Sequence, residues 1–309
     1  MQLNLSGRLV SRLTHSTRGG LFMVMVAAVL WGTGNVVAKS IYGISNTNPV
    51  SVAFFRMLLS VPALFAIGSL TLGRRMFSVH KRDLPFILAA GTLVALYQAA
   101  FYASIPRVGV AIATVIALSS APVIVAVLSA ILTRERPPRI VIVALTAAVM
   151  GTFLLTNVKP SAQQTDVPGG IGFALLAGLL YAINTLVGRR LGNEGRAHPL
   201  QIAAFGFAFG TLVLVIIAGT TSGLVTQYPL EGWLRLGYLG IVSTAIGYGL
   251  FYAGMRTTSA SSASIATLME PLTSTLIAVL ILREPLSPQA LFGALLMLGA
   301  MAVLVTGKK

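Results

Sequence analysis

The chain has 309 residues, of which 56% are hydrophobic and only 9% charged. A soluble domain carries roughly a quarter of its residues charged, so most of this surface faces lipid. The formal charge of +15 lies in short loops between apolar runs rather than in one patch, which excludes a nucleic-acid partner.

A membrane helix needs about 20 mostly apolar residues to cross a hydrocarbon core ~30 Å thick. Reading apolar runs against charged or Pro/Gly-rich breaks predicts ten spans near 20–40, 49–72, 84–104, 108–132, 139–156, 169–188, 199–219, 233–254, 260–282 and 288–306. The expected fold is an all-α polytopic membrane protein of ten transmembrane helices, with the lipid bilayer as its first partner. Residues 1–19 read as an N-terminal arm, 157–168 as a hydrophilic linker and 307–309 as a tail. Arg8, Arg12 and Arg18 ahead of the first apolar run could mark a signal peptide. That span pairs with the sixth in the repeat below, so it is read as a true helix.

Lysine and arginine accumulate in cytoplasmic loops. With the N-terminus inside, sixteen basic residues fall on the cytoplasmic side, five fall outside and Arg56 lies within a span. Both termini are therefore expected in the cytoplasm, in a bacterial inner membrane.

Sliding the chain against itself by 150 residues aligns Pro49, Ala53 and Phe55 with Pro199, Ala203 and Phe205. It also aligns Phe101-Tyr102-Ala103 with Phe251-Tyr252-Ala253. After a one-residue deletion Pro122 meets Pro271 and Arg134-Glu135 meets Arg283-Glu284. Residues 20–156 and 169–306 thus read as two repeats. Five spans per copy is odd, so the second copy inserts upside down. Inverted repeats are the recurrent architecture of secondary transporters, with the substrate between the halves near the midplane.

These residues resemble the EamA family of the drug/metabolite transporter superfamily. Leu30-Trp31-Gly32-Thr33-Gly34-Asn35 followed by Lys39 is similar to the family's opening Trp-Gly motif, and Pro49 followed by Arg56 to its Pro…Arg pattern. Pro122, Glu135 and Gly151 match the close of one unit, and Pro271, Glu284 and Gly299 match it again. The second half departs from the motif: Tyr181-Ala182 replaces Trp-Gly and Gly206 replaces the arginine. The resemblance implies export of amino acids or related metabolites, with the aromatic amino-acid exporter branch the nearest expectation.

Two charged residues lie well inside spans, Arg56 and Glu270. A charge at the bilayer centre costs roughly 2.5–3.5 kcal/mol on insertion scales, so such residues are paired, water-exposed or functional. They read either as a neutralising ion pair or as a receptor in which Arg56 takes a carboxylate and Glu270 an ammonium. Pro122 and Pro271 lie mid-span, each freeing the carbonyl four residues earlier, at Leu118 and Thr267. They read as passive kinks or as gating elements.

Aromatic and amide groups join the candidate substrate site: Tyr97, Gln98 and Phe101 on the third span, Tyr248 and Tyr252 on the eighth. Trp31, Asn35, Tyr181 and Asn184 add similar groups on the first and sixth. Ligand pockets are mostly apolar and aromatic with a few placed polar groups. The alternative is an interfacial belt, which suits Tyr102 and Tyr252 better than Trp31, Asn35, Tyr97 and Gln98. Gly172, Gly178 and Gly188 read as helix-packing positions.

Cysteine is absent and His15, His80 and His198 have no metal-ligand spacing, so no metal, cofactor or catalytic residue is expected. The function expected is transport of a small molecule by alternating access, in a monomer. Protons are a candidate partner through Glu270, which leaves facilitated diffusion and proton antiport both open. A multidrug, organic-cation or nucleotide-sugar carrier is the alternative within the superfamily, and an ion channel the alternative from another class. An intramembrane enzyme finds no motif here.

Overall fold

Helices occupy all ten apolar runs in a computed structural model that describes residues 17–108, 110–133, 137–156, 166–193, 196–221, 223–282 and 288–306. The first repeat supplies α1 (Thr17–Tyr42), α2 (Pro49–Leu72), α3 (Leu84–Val108), α4 (Val110–Thr133) and α5 (Arg139–Thr156). The second supplies α6 (Val167–Asn193), α7 (Pro199–Thr220), α8 (Leu230–Gly254), α9 (Ala260–Ala266), α10 (Met269–Leu282) and α11 (Pro288–Thr306). Six helical stretches are long and apolar enough to cross a membrane, and shorter apolar helices accompany them. Hydrocarbon offers backbone groups no hydrogen bonds, so a spanning chain of this composition satisfies them within helices.

Local signals set the helix starts. Pro49 and Pro199 take the first turns of α2 and α7, where the missing N–H costs nothing. Asn48 caps α2 by accepting from the Ser51 amide at 2.8 Å. His198 caps α7 in a box completed by Gln201, whose Oε1 accepts from the His198 amide at 2.7 Å.

Packing between the repeats follows an approximate twofold that exchanges each span with the one five places later. α1 packs on α8, and α6 packs on α3. α1 packs on α10, and α6 packs on α4. α2 lies along α7, while α2 against α8 repeats α7 against α3. α5 and α11 pair at the periphery and expose Val143, Phe153, Phe292 and Leu295. Eight spans therefore surround the centre and two stand outside it.

Clamps at both ends tie the repeats together, and they too are related by the twofold. At one end Asp83, before α3, accepts from the Arg196 and Ala197 amides at 2.8 and 2.7 Å. Beside it Gln201 Nε2 donates to the carbonyls of Arg75 and Met76. At the other end Asn48 Nδ2 donates to the Gly223 carbonyl at 3.1 Å, and the Val225 amide donates to Ser51 Oγ at 2.9 Å. Only the Asp83 clamp uses a charged acceptor.

Three details depart from the sequence reading. The eighth span is not a uniform α-helix, because Leu239–Ile246 winds as a π-helix. The ninth is broken at Thr267–Leu268 between α9 and α10. Pro271 consequently stands in the first turn of α10 instead of mid-helix, whereas Pro122 stays inside the continuous α4. The carbonyl freed at Thr267 is taken by the Glu270 amide at 3.0 Å. Among the glycines, Gly178 abuts Ser120 and Gly188 abuts Tyr252, but Gly172 faces open space. Arg134-Glu135, Arg283-Glu284 and the residues 1–16, 157–165 and 307–309 lie outside the described residues.

Candidate functional site

The two intramembrane charges come to one region from different repeats. Arg56, half-buried on α2, donates from Nε to Thr244 Oγ1 at 3.1 Å. Thr244 belongs to the π-helical turn of α8, a wound-out geometry frequent at functional sites. Gly240, at the start of that turn, lets α8 lie against α2, because an added Cβ there would meet Leu59 Cβ at 2.6 Å.

Glu270 is the second residue of α10, so the break in the ninth span carries it into the centre. Its Oε1 accepts from Asn35 Nδ2 at 2.7 Å. Gly32 of the Trp-Gly motif makes this approach feasible. A Cβ there would sit 2.6 Å from the Glu270 carbonyl, and Ser274 Oγ donates to the Gly32 carbonyl at 3.0 Å. The motif thus serves α1–α10 contact as well as presenting Trp31.

Arg56 and Glu270 are within electrostatic reach of each other, yet no ion pair within 4 Å joins them among the described residues. A guanidinium has five N–H donors, and Arg56 gives one of them to Thr244. The two charges therefore feel each other without direct contact. The twofold counterparts are uncharged: Gly206 stands where Arg56 would be repeated, and Ala121 where Glu270 would be.

Accessibility is layered along the membrane normal. Asn35 is exposed, and Arg56, Tyr97, Phe101, Tyr102 and Glu270 are half-buried. Trp31, Gln98, Tyr181, Asn184, Tyr248 and Tyr252 are buried. Counting along the helices, Asn35, Arg56, Phe101 and Tyr102 lie nearer the Asn48 clamp, while Asn184, Tyr248 and Tyr252 lie nearer the Asp83 clamp. The most exposed of these side chains thus lies toward the Asn48 end and the most buried toward the Asp83 end.

Aromatic rings line the boundary between these layers. Trp31 packs on Tyr248 with centroids 4.7 Å apart, and Tyr97 packs on Tyr181 at 5.4 Å and on Phe101 at 6.1 Å. Tyr252 donates to Asn184 Oδ1 at 3.3 Å. Tyr102, assigned to the interfacial belt by its place near a helix end, reaches Arg56 instead. Thr244 escaped sequence reading because a lone threonine in an apolar run carries no signal until the π turn aims it.

Comparison with known proteins follows the same architecture. A family model described as the EamA-like transporter family matches residues 18–157 and 168–306. An uncharacterized transporter, YwfM, of Bacillus subtilis (strain 168) is 29% identical over 287 residues, covering 93% of this chain and 94% of that one. An uncharacterized inner membrane transporter, YicL, of Salmonella typhimurium is 28% identical over 298 residues, covering 94% and 96%. The pseudopaline exporter CntI of Pseudomonas aeruginosa is 26% identical over 231 residues, covering 73% and 75%. A crystal structure with 18% identity superposes with a TM-score of 0.77 over 92% of this chain and 95% of that one, a likeness of fold.

Proposed function

The chain belongs to the EamA-like transporter family and is a multi-pass membrane transporter, and from that premise we propose that it exports zwitterionic metabolites, amino acids first among them. The observation that carries this reading is Arg56 and Glu270, opposite in sign, within electrostatic reach and joined by no ion pair among the described residues. A carboxylate on Arg56 and an ammonium on Glu270 would complete both. Charges held within a membrane are costly without a counter-charge, so a ligand carrying both signs gains from each end. An organic cation would suit Glu270 alone and be repelled by Arg56. A nucleotide sugar would want more than one cation for its phosphates.

Alternating access is supported by the twofold packing, which lets two near-equivalent halves exchange roles around one pocket. Both halves of that pocket come from one chain, which favours a working monomer. Loop basicity favours an orientation with both termini cytoplasmic, and one relative is named an inner membrane transporter. Export is favoured by the relative named an exporter, of pseudopaline.

Flux of labelled amino acids through proteoliposomes tests the proposal. Arg56→Gln and Glu270→Gln should each cut flux at least tenfold while the purified protein keeps its monodispersity and melting behaviour. Undiminished flux in both variants would overturn it. An imposed pH gradient that leaves the rate unchanged would mark facilitated diffusion rather than proton antiport.

A further inference from the structure

Beneath the charged pair lies a set of polar atoms that the zwitterion contacts do not use. Asn184 Nδ2, Gln98 Oε1 and Trp31 Nε1 are each buried without a hydrogen-bond partner, on residues 1, 4 and 5% exposed. The buried Tyr181 hydroxyl has Thr267 beside it. A buried polar atom left unpaired carries its desolvation penalty uncompensated, and native proteins carry few of them. These three lie on α1, α3 and α6, helices that surround the centre.

The four side chains are held by neighbours that fix their direction. Tyr252 takes the Asn184 oxygen, so the amide nitrogen faces away from that contact. Tyr181 and Asn184 stand three residues apart on α6 and share a face. The Tyr181 ring rests on Tyr97, whose neighbour Gln98 rides the same turn of α3. Trp31 rests on Tyr248 from the opposite repeat. Tyr181 is also within electrostatic reach of Tyr248, Tyr252 and Glu270, which puts this floor next to the charged pair. It includes donors in Asn184 and Trp31, an acceptor in Gln98, and a hydroxyl that can do either.

We propose that these atoms form a side-chain subsite that hydrogen-bonds the distal end of the substrate, so that the protein selects zwitterions bearing a hydroxyl or carboxamide over isosteric apolar ones. This rests on the zwitterion reading above and narrows it. The backbone ends of the substrate meet Arg56 and Glu270, and the side chain points toward the Asp83 end. A site that must hydrogen-bond its ligand rejects the analogue lacking the group far more strongly than an apolar pocket rejects an extra methylene, because its own polar atoms would stay unpaired. That differs from the aromatic preference expected from family likeness: the rings here form walls, and the floor is polar.

The test is competition for transport in proteoliposomes by matched pairs: threonine against valine, glutamine against norleucine, tyrosine against phenylalanine. The polar member of at least one pair should compete at least tenfold better than its apolar partner. Asn184→Leu should collapse that ratio toward one while the apolar partner still competes, and Arg56→Gln should weaken both members together. Equal competition within every pair would overturn the subsite, since the buried atoms would then be served by water, and would leave the zwitterion reading standing. Failure of every pair to compete, with flux indifferent to Arg56→Gln, would overturn both. If Asn184→Leu does not fold, Gln98→Met read by the same ratio replaces it.

Discussion

Asn35 on α1 donates from Nδ2 to Glu270 Oε1 on α10 at 2.7 Å, joining the first span of one repeat to the broken span of the other. Hydrogen bonds to a charged acceptor are worth about 1.5–3 kcal/mol. Asn35→Ala leaves the Glu270 carboxylate without its fixed donor, free to turn away from the pocket. The half-saturation concentration for amino-acid flux should rise roughly tenfold, about 1.4 kcal/mol, with maximal flux less affected. An unchanged value would mean the contact does not position the carboxylate.

Ahead of α3, Asp83 is 7% exposed and accepts two backbone amides from the loop ahead of α7. Asp83→Ala removes both acceptors at once and should cost about 2–3 kcal/mol, read as a lower midpoint in thermal unfolding in detergent. Asp83→Asn keeps one oxygen in place and should cost roughly half as much.

Helices α3 and α7 touch through glycine. A methyl at Gly91 would overlap the Gly206 carbonyl, which cannot move without parting the helices. Gly91→Ala should therefore destabilise by about 3 kcal/mol, the upper range for overpacking. Gly172 on α6 faces open space, and Gly172→Ala should instead stabilise by ~0.5–1 kcal/mol through helix propensity. Parallel melting curves of the two variants separate a packing glycine from an incidental one.

His198, at the start of α7, is held below its ordinary 6.5 chiefly by burial and secondarily by Arg256. Its Nδ1 accepts from the Leu200 amide at 3.3 Å, a bond the neutral ring makes. The unfolded chain binds the proton more readily, so this contribution to stability is complete above pH 6.5 and falls away as the pH drops below it. The melting midpoint should decline between pH 7.5 and 5.5. His198→Asn, which installs the cap that Asn48 provides in the other repeat, should flatten that decline. An equal slope in the variant would show that another group sets it.

The ten crossings and the duplication were legible because each leaves a one-dimensional trace. Apolar runs end at charge, and Pro49 and Pro199 repeat at a fixed offset. The charged pair was legible for the same reason, since Arg56 and Glu270 are conspicuous in apolar surroundings. Geometry that depends on neighbours left no such trace. Leu239–Ile246 has the composition of any apolar helix, and its π winding lies where α8 packs against α1 and α2. The break at Thr267–Leu268 carries neither glycine nor charge, and Pro271 suggested a kink there rather than a restart. Gly172 and Gly178 look alike in sequence and differ only in what stands opposite. Asp83 is a lone acid in a basic loop that sequence reading passed over, because its partners are backbone amides 113 and 114 positions away, which side-chain chemistry cannot reveal.

Each charge in the pocket occurs once, with Gly206 and Ala121 at the mirrored places. Under the proposed alternating access the scaffold inverts while its electrostatic labels stay where they are. A cargo grasped head-first by the guanidinium on one side of the bilayer would still be grasped head-first when the gate behind it opened. It would cross without tumbling, because each half of the polypeptide supplies one sign and only that one.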